Sequence, residues 1–383
     1  MSDSEPTESE LHWPGIPHAS EELERYTLGG FHPVHLGDVF RSKNAVYRVL
    51  HKLGWGSFAT VWLASRTLQE EAKNPKHASY FVALKICAAN ADSDHEINVH
   101  CRLPSDSLHV ANLLDSFSLH GPNGSHTVLI YDILARVLSF KLSLDERRSL
   151  CHQLVLGVAF LHRNGVIHGG ESLPKYLLPP INIATYFTSR ERAFPQMSSF
   201  SVKIMDLGSA AIIDEPARRC ITPPTVVTSE SSIASPTFAS DIWSLACVAI
   251  NTDQIFYSAA PNTTHLRDMA KLCGEIPLEF RNIYPDSTVL SPATTDAEWT
   301  ERLGSRMDKY FEGFGDLMKW MLKMDPAARP SAEQVLQHPW FEQSERHVER
   351  KEAIEERYEG GKPDLVSSRN TVAIGASKEN IPI

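Results

Sequence analysis

No two of the six cysteines, Cys87, Cys101, Cys151, Cys220, Cys247 and Cys273, form a C-x-x-C pair. This argues against a disulfide framework and against a thiolate zinc site. Thiols scattered in this way are expected to be buried or free, in a reducing compartment. The seventeen histidines show no H-E-x-x-H or H-x-x-x-H spacing on a convincing helix, so histidine-based metal catalysis is set aside. A basic surplus is missing too. The net charge of −10 argues against binding nucleic-acid phosphates and leaves room for a basic peptide as partner. The opening residues, M-S-D-S-E-P-T-E-S-E, hold no basic or apolar region of the kind that begins a secretory signal. The most apolar window, Val128 to Leu142, is broken by Asp132, Arg136 and Lys141, so no membrane span is expected. There is no internal repeat.

What remains is an ordinary globular composition, 42% hydrophobic and 22% charged over 383 residues, with material for a sizeable core. Residues 1–25 are polar and proline-bearing and read as a mobile tail. Strand-like runs rich in β-branched and aromatic residues follow at Ala45 to Leu50, Thr60 to Ala64, Tyr80 to Ile86, Val110 to Ser118 and Thr127 to Ile133. The last two are separated by H-G-P-N-G-S-H, a turn by composition. Beyond Leu134 the periodicity becomes helical, first behind a Ser143/Asp145 start signal. It recurs at Asp241 to Asn251, Thr264 to Leu272, Met307 to Met324 and Ser331 to Gln337. Sheet first and helices afterwards make an α+β arrangement. From 342 the chain is charged, then Ser/Gly-bearing, and reads as a largely disordered tail.

Lys52 to Ala64 spell K-L-G-W-G-S-F-A-T-V-W-L-A, and V-A-L-K follows at Val82 to Lys85. A glycine-rich strand-turn-strand brings backbone N–H groups over nucleotide phosphates, and a lysine on the next strand pairs with the α- and β-phosphates. Gly54 and Gly56 lack the Cβ that would block that approach; Ala59 stands in the third glycine's place. An ordinary glycine-containing hairpin would share the first part of this pattern but not the V-A-L-K. Asp206-Leu207-Gly208 follows an apolar run, V-K-I-M, taken as a strand, and matches a motif whose aspartate chelates a Mg²⁺ bridging the phosphates. Glu96, in D-H-E-I-N-V-H, stands where a helix glutamate would pair with Lys85. The Lys85 to Glu96 spacing is short and implies a trimmed helix.

Taken together these segments resemble the serine/arginine-protein kinases of the CMGC group, in a fungal-type form. The carrying residues are Y-T-L-G-G-F-H-P-V-H-L-G-D-V-F (Tyr26 to Phe40), K-L-G-W-G-S-F-A-T-V-W-L, M-D-L-G-S-A, T-P-P-T (Thr222 to Thr225), D-I-W-S-L-A-C, L-R-D-M-A-K-L-C-G-E-I-P and D-P-A-A-R-P-S-A-E-Q-V-L-Q-H-P-W-F. The resemblance implies a bilobal kinase domain over 26–341, with a β-rich N-lobe at 26–134 and a helical C-lobe at 135–341. It implies ATP and Mg²⁺ as cofactors, and a monomer acting on an Arg-Ser-rich protein substrate in cytoplasm or nucleus. ATP would lie against Leu53, Gly54, Trp55, Gly56, Ser57, Phe58, Val61, Ala83, Lys85 and Glu96. Tyr131 would be the gatekeeper residue, with Asp132 to Leu134 the adenine-binding hinge. Asp241 would orient catalytic-loop amides, His168 would pack beneath the D-L-G motif, and Arg329 would pair with a glutamate, for which Glu230 is the nearby candidate.

The catalytic loop departs from this family. Where protein kinases read H-x-D-x-K-P-x-N, this chain has Gly170 at the aspartate position. Thirteen residues separate His168 from Asn182, against six in the family pattern. Asn182 reaches metal only if the surplus loops out. Glu171 is a weak substitute base and Lys175 a substitute for the missing lysine; both are otherwise solvated loop charges. Asn251 to Leu266 carries only Asp253, a thin acidic surface for an Arg-Ser substrate. Three readings stay open: a slow Ser/Thr protein kinase, a pseudokinase that holds nucleotide as a scaffold or regulator, and a chain read from an alternatively spliced transcript.

Overall fold

The structure is a computed structural model. It describes residues 21–69, 80–105, 107–134, 144–169, 201–216, 236–249 and 313–342, and the single positions 269, 273 and 277. Apart from Met269, the expected helix at Thr264 to Leu272 lies outside the described residues, as do both tails beyond those limits.

The N-terminal half is one antiparallel sheet. Its strands are β1 (Val39–Arg41), β2 (Ala45–Trp55), β3 (Ala59–Leu68), β4 (Tyr80–Cys87), β5 (Leu113–Gly121) and β6 (Gly124–Tyr131), in the order β1-β2-β3-β4-β6-β5. Period-two alternation decides which face each residue serves. Val82, Leu84 and Ile86 of β4 join Val128 and Ile130 of β6, with Tyr47 and Trp62, in one buried cluster. The intervening residues Cys87, Leu129 and Tyr131 form a second cluster on the opposite face with Ala59 and Ala111. Lys85 shares that second face, directly across from Val61 on β3 and Leu129 on β6, while Ala83 pairs with Tyr131. Helix α1 (Ser93–Arg102) covers it.

The stretch before β1 is bound to this sheet. Gly29 N–H donates to Asn123 O at 2.8 Å, Ala89 N–H to Gly30 O at 3.0 Å and Asn90 N–H to Gly29 O at 2.9 Å. His32 packs edge-on against His126, ring centroids 5.0 Å apart. The expected tail ends at 25, yet Glu21 to Arg25 are in place. The Glu21 carboxylate accepts from Tyr26 and Lys52, and Arg25 donates to the carbonyl of Ser57 at the tip of the β2–β3 turn.

The second half is helical: α2 (Leu144–Arg163), α3 (Phe238–Ala249), α4 (Phe314–Met321) and α5 (Ala332–Leu336), with a short ribbon of β7 (Val166–Ile167) and β8 (Ala211–Ile212). Trp243, Phe314, Met318, Met321, Val335 and Trp340 are in its core. V-K-I-M forms an isolated bridge and not the expected strand: Ile204 pairs with Val110. The bond from Ala111 N–H to Ile204 O (2.7 Å) and that from Ile204 N–H to His109 O (2.8 Å) tie the two halves. Gly157 of α2 faces this junction; a Cβ there would come within 2.7 Å of His109 O, so α2 packs this closely only with glycine. No helix among the described residues is long and apolar enough to cross a membrane. None of the five described cysteines is in a disulfide, and four of them are buried. Burial pushes the thiols of Cys87, Cys151 and Cys247 up to about 12, which leaves them unreactive.

Candidate active site

Lys85 stands at the centre. Its ammonium donates to both oxygens of Glu96, at 3.0 and 2.7 Å, and to Asp206 Oδ1 at 2.6 Å. Burial works against that charge, but the two carboxylates outweigh it and raise the pKa of Lys85 well above its ordinary value. Glu96 is buried on the inner face of α1. Losing Lys85 would strand it, a change that costs roughly 3–5 kcal/mol for a buried pair.

Asp206 reaches Lys85 because its backbone is left-handed, φ 70° and ψ 68°, the sole non-glycine residue with positive φ among the described residues. Aspartate tolerates this region better than most residues. The turn Leu207–Ser209 then lies against α1, where His95 Nε2 donates to Ala210 O at 2.7 Å. Gly208 permits the contact: a Cβ at this position would be 3.2 Å from Glu96 Oε2. Farther along α1, Arg102 pairs with Glu215 at 2.7 Å.

Buried Asp241 organises the floor. It accepts from the backbone N–H of His168 at 2.7 Å and of Gly169 at 3.0 Å, and from His162 Nε2 at 3.0 Å. His168 Nε2 in turn donates to Met205 O at 3.2 Å, which fixes the residue before Asp206. Asp241 thus orients the two amides it was expected to orient. His162 is an addition. A lone histidine on a helix carries no signal in sequence, and its bond to Asp241 joins residues far apart in the chain.

The roof is the β2–β3 turn. Gly54 pairs with Val61, Trp55 with Thr60, and Gly56 N–H donates to Ala59 O at 2.8 Å. Leu53 sits in the register shift between Lys52 and Gly54, while Gly56, Ser57 and Phe58 are exposed at the tip. At the rear, Tyr131 turns its hydroxyl to Glu96; Leu134 packs on the same cluster and Asp132 pairs with Lys203 at 3.6 Å. Arg329 donates to the carbonyls of Lys323 (2.7 Å) and Ala239 (3.0 Å) and lies 4.9 Å over the Trp243 ring. Gly170, Glu171, Lys175, Asn182 and Glu230 lie outside the described residues.

A two-part molecule, a glycine-rich turn above a Lys–Glu–Asp cluster and an aspartate-held loop below it agree with what a family comparison finds: the protein kinase domain matches residues 47–341. The chain belongs to the protein kinase family. Among this kinase's relatives, a serine/threonine protein kinase of Aspergillus fumigatus is 27% identical over 370 residues, covering 84% of this chain and 90% of that one. The serine/threonine-protein kinase SRPK of Physarum polycephalum is 25% identical over 398 residues, covering 84% and 91%. SRSF protein kinase 3 of Homo sapiens is 30% identical over 176 residues, covering 41% and 29%. The kinase is therefore of the SR-protein-kinase-like CMGC type, with the bilobal α+β fold expected of it. Protein kinases use ATP and a divalent metal ion, and the lysine, the carboxylates and the open turn fit both.

Proposed function

We propose that this kinase transfers the γ-phosphoryl group of ATP, with Mg²⁺, to serine hydroxyls of Arg-Ser-rich proteins, at a reduced rate. The observation that carries the reading is the triad at Lys85, whose ammonium is shared by Glu96 and Asp206 at 2.6–3.0 Å. Glu96 orients Lys85 toward the α- and β-phosphates. A Cβ at Gly56 would meet nothing within 4 Å, so the space beside the exposed tip of the turn is open. Leu53, Val61 and Ala83 form the adenine walls, beside Asp132 and Leu134. Asp206 and Asn182 would hold the Mg²⁺, which would supply neutralisation of the phosphate charge.

The serine oxygen attacks γ-phosphorus as the bond to the ADP oxygen breaks, and the serine proton passes to a base. With Gly170 at the usual aspartate position, Glu171, the next residue in sequence, is a weak candidate for that proton, and Lys175 would stand in for the lysine that meets the γ-phosphate. A positioned base contributes about 10²- to 10⁴-fold, so its loss slows transfer without removing the larger positioning and charge terms. The same residue favours a second reading, a pseudokinase that binds nucleotide and acts as a scaffold or regulator. The kinase works as a monomer in cytoplasm or nucleus, without nucleic acid or membrane as direct partners.

Purified kinase with labelled ATP, Mg²⁺ and an Arg-Ser repeat peptide tests the first reading against the second. Transfer lost in both Asp206→Ala and Lys85→Met establishes a working enzyme, and loss in Glu171→Gln identifies its base. Nucleotide binding without transfer leaves the pseudokinase.

A further inference from the structure

Behind Lys85 the buried hydrogen bonds run one step farther than a phosphate grip needs. Tyr131, the last residue of β6, is 6% exposed. Its hydroxyl donates to Glu96 Oε1 at 2.7 Å and lies 3.2 Å from His100 Nε2. Glu96 and His100 are four residues apart on α1 and so share the face turned to the sheet. The hydroxyl has one proton, which goes to Glu96; its oxygen is left to accept, so His100 Nε2 carries a proton and donates. Burial, the main influence on His100, lowers its pKa and keeps the ring neutral; Glu96 acts the other way and Lys85 with the burial. The result is one directed chain: His100 to Tyr131 to Glu96, met from the other side by Lys85.

Packing alone does not fix this arrangement. His100 also borders a cavity of about 70 Å³ lined by Leu103, Ser107, Asn112 and Phe160, among others, so the ring has room to turn away from Tyr131. Hydrogen bonding selects its position. With nucleotide and metal bound, the Lys85 ammonium would be shared between Glu96 and phosphate, and Asp206 would be given over to the ion. The bond from Tyr131 to Glu96 is claimed by neither.

We propose that the Tyr131 hydroxyl, backed by His100, is a latch that holds Glu96 and helix α1 inward while Lys85 and Asp206 turn to their ligands. It rests on reading Lys85 and Asp206 as the nucleotide and metal residues. Tyr131 is then a positioning residue: it acts on the phosphates through Glu96 and Lys85.

The test compares the full chain with Tyr131→Phe, His100→Leu and His100→Gln, with Lys85→Met as the control for nucleotide binding. Amide hydrogen exchange is followed over 93–102, and the dissociation constant of a fluorescent ATP analogue with Mg²⁺ is measured. Phenylalanine keeps the ring and removes only a bond to a charged acceptor, so exchange over 93–102 should rise about tenfold and nucleotide should bind about tenfold more weakly. The β2–β4 amides should be unchanged. His100→Leu should loosen the helix in the same way, and His100→Gln, which keeps a side-chain N–H donor, should restore most of the protection. Tyr131→Phe with native exchange over 93–102 overturns the latch. Should native kinase bind no nucleotide while Tyr131→Phe still loosens α1, the nucleotide reading falls and the latch stands.

Discussion

A methyl group at position 208 would sit 3.2 Å from Glu96 Oε2, closer than most side-chain contacts allow. The turn after Asp206 and helix α1 approach each other only because nothing is there. Gly208→Ala should therefore push the turn or Glu96 aside by a few tenths of an ångström. Nucleotide affinity should fall severalfold, while a single methyl of overpacking costs about 1–3 kcal/mol; titration with a fluorescent nucleotide and urea unfolding read the two effects. Asp241 takes three donors with two oxygens, from His162, His168 and Gly169. In Asp241→Asn one oxygen becomes an amide donor, so at least one buried N–H loses its acceptor. A buried unsatisfied group costs roughly 1–3 kcal/mol, and the urea midpoint should drop accordingly.

Among the elements, α1 and α5 show how different two tethers can be. Arg102 and Glu215 meet at 2.7 Å, but their side chains are 48% and 34% exposed. An exposed pair is worth about 0.2–1 kcal/mol, so Arg102→Ala should leave the melting temperature almost unchanged. Helix α5 opens on a full capping box: Ser331 accepts from Gln334 N–H, and the Gln334 side chain accepts from Ser331 N–H. Ser331→Ala should cost about 1 kcal/mol, readable in the same thermal scan. Elements like α5 are legible in sequence because their signals are local. Helix α3 is less so: it begins at Phe238, ahead of the expected Asp241, because the Thr237 and Ser240 bonds start it earlier. The strand expected at Val110 begins at Leu113, since residues 109–111 spend their backbone bonds on Ile204. The H-G-P-N-G-S-H turn shrinks to Pro122 and Asn123, with both strands running into it. At the site, Lys85, Glu96 and Asp206 were legible because spacing within short motifs reveals them. The partners of Tyr131 and His162 were not, because each bond joins elements distant in the chain.

For the molecule as a whole, burial holds His32, His100 and His338 below their ordinary pKa of 6.5, with a second contribution at His32 from His126. The unfolded chain then binds more protons than the folded one as pH falls through about 6.5, so stability declines on that side. At Glu21 and Asp115 burial acts upward, but hydrogen bonds outweigh it and the pKa values are lowered, so their contribution is lost as pH drops through about 4. On the alkaline side, burial and Asp115 raise Tyr47 to about 12, and burial raises Cys87 to about 12. Stability from these groups fades as pH climbs past their unfolded values of about 8.5–10. Thermal midpoints measured from pH 4 to 11 should trace a plateau between about 7 and 8.5, falling on both sides. The contacts of Glu21 to His32 have a practical edge. Trimming the chain to the stretch that matches the family, 47–341, would cut away Arg25, which grips Ser57, and His32, which covers His126. What looks like packaging braces the lip of the cleft, and a minimal domain would lose that brace together with β1 and the first residues of β2.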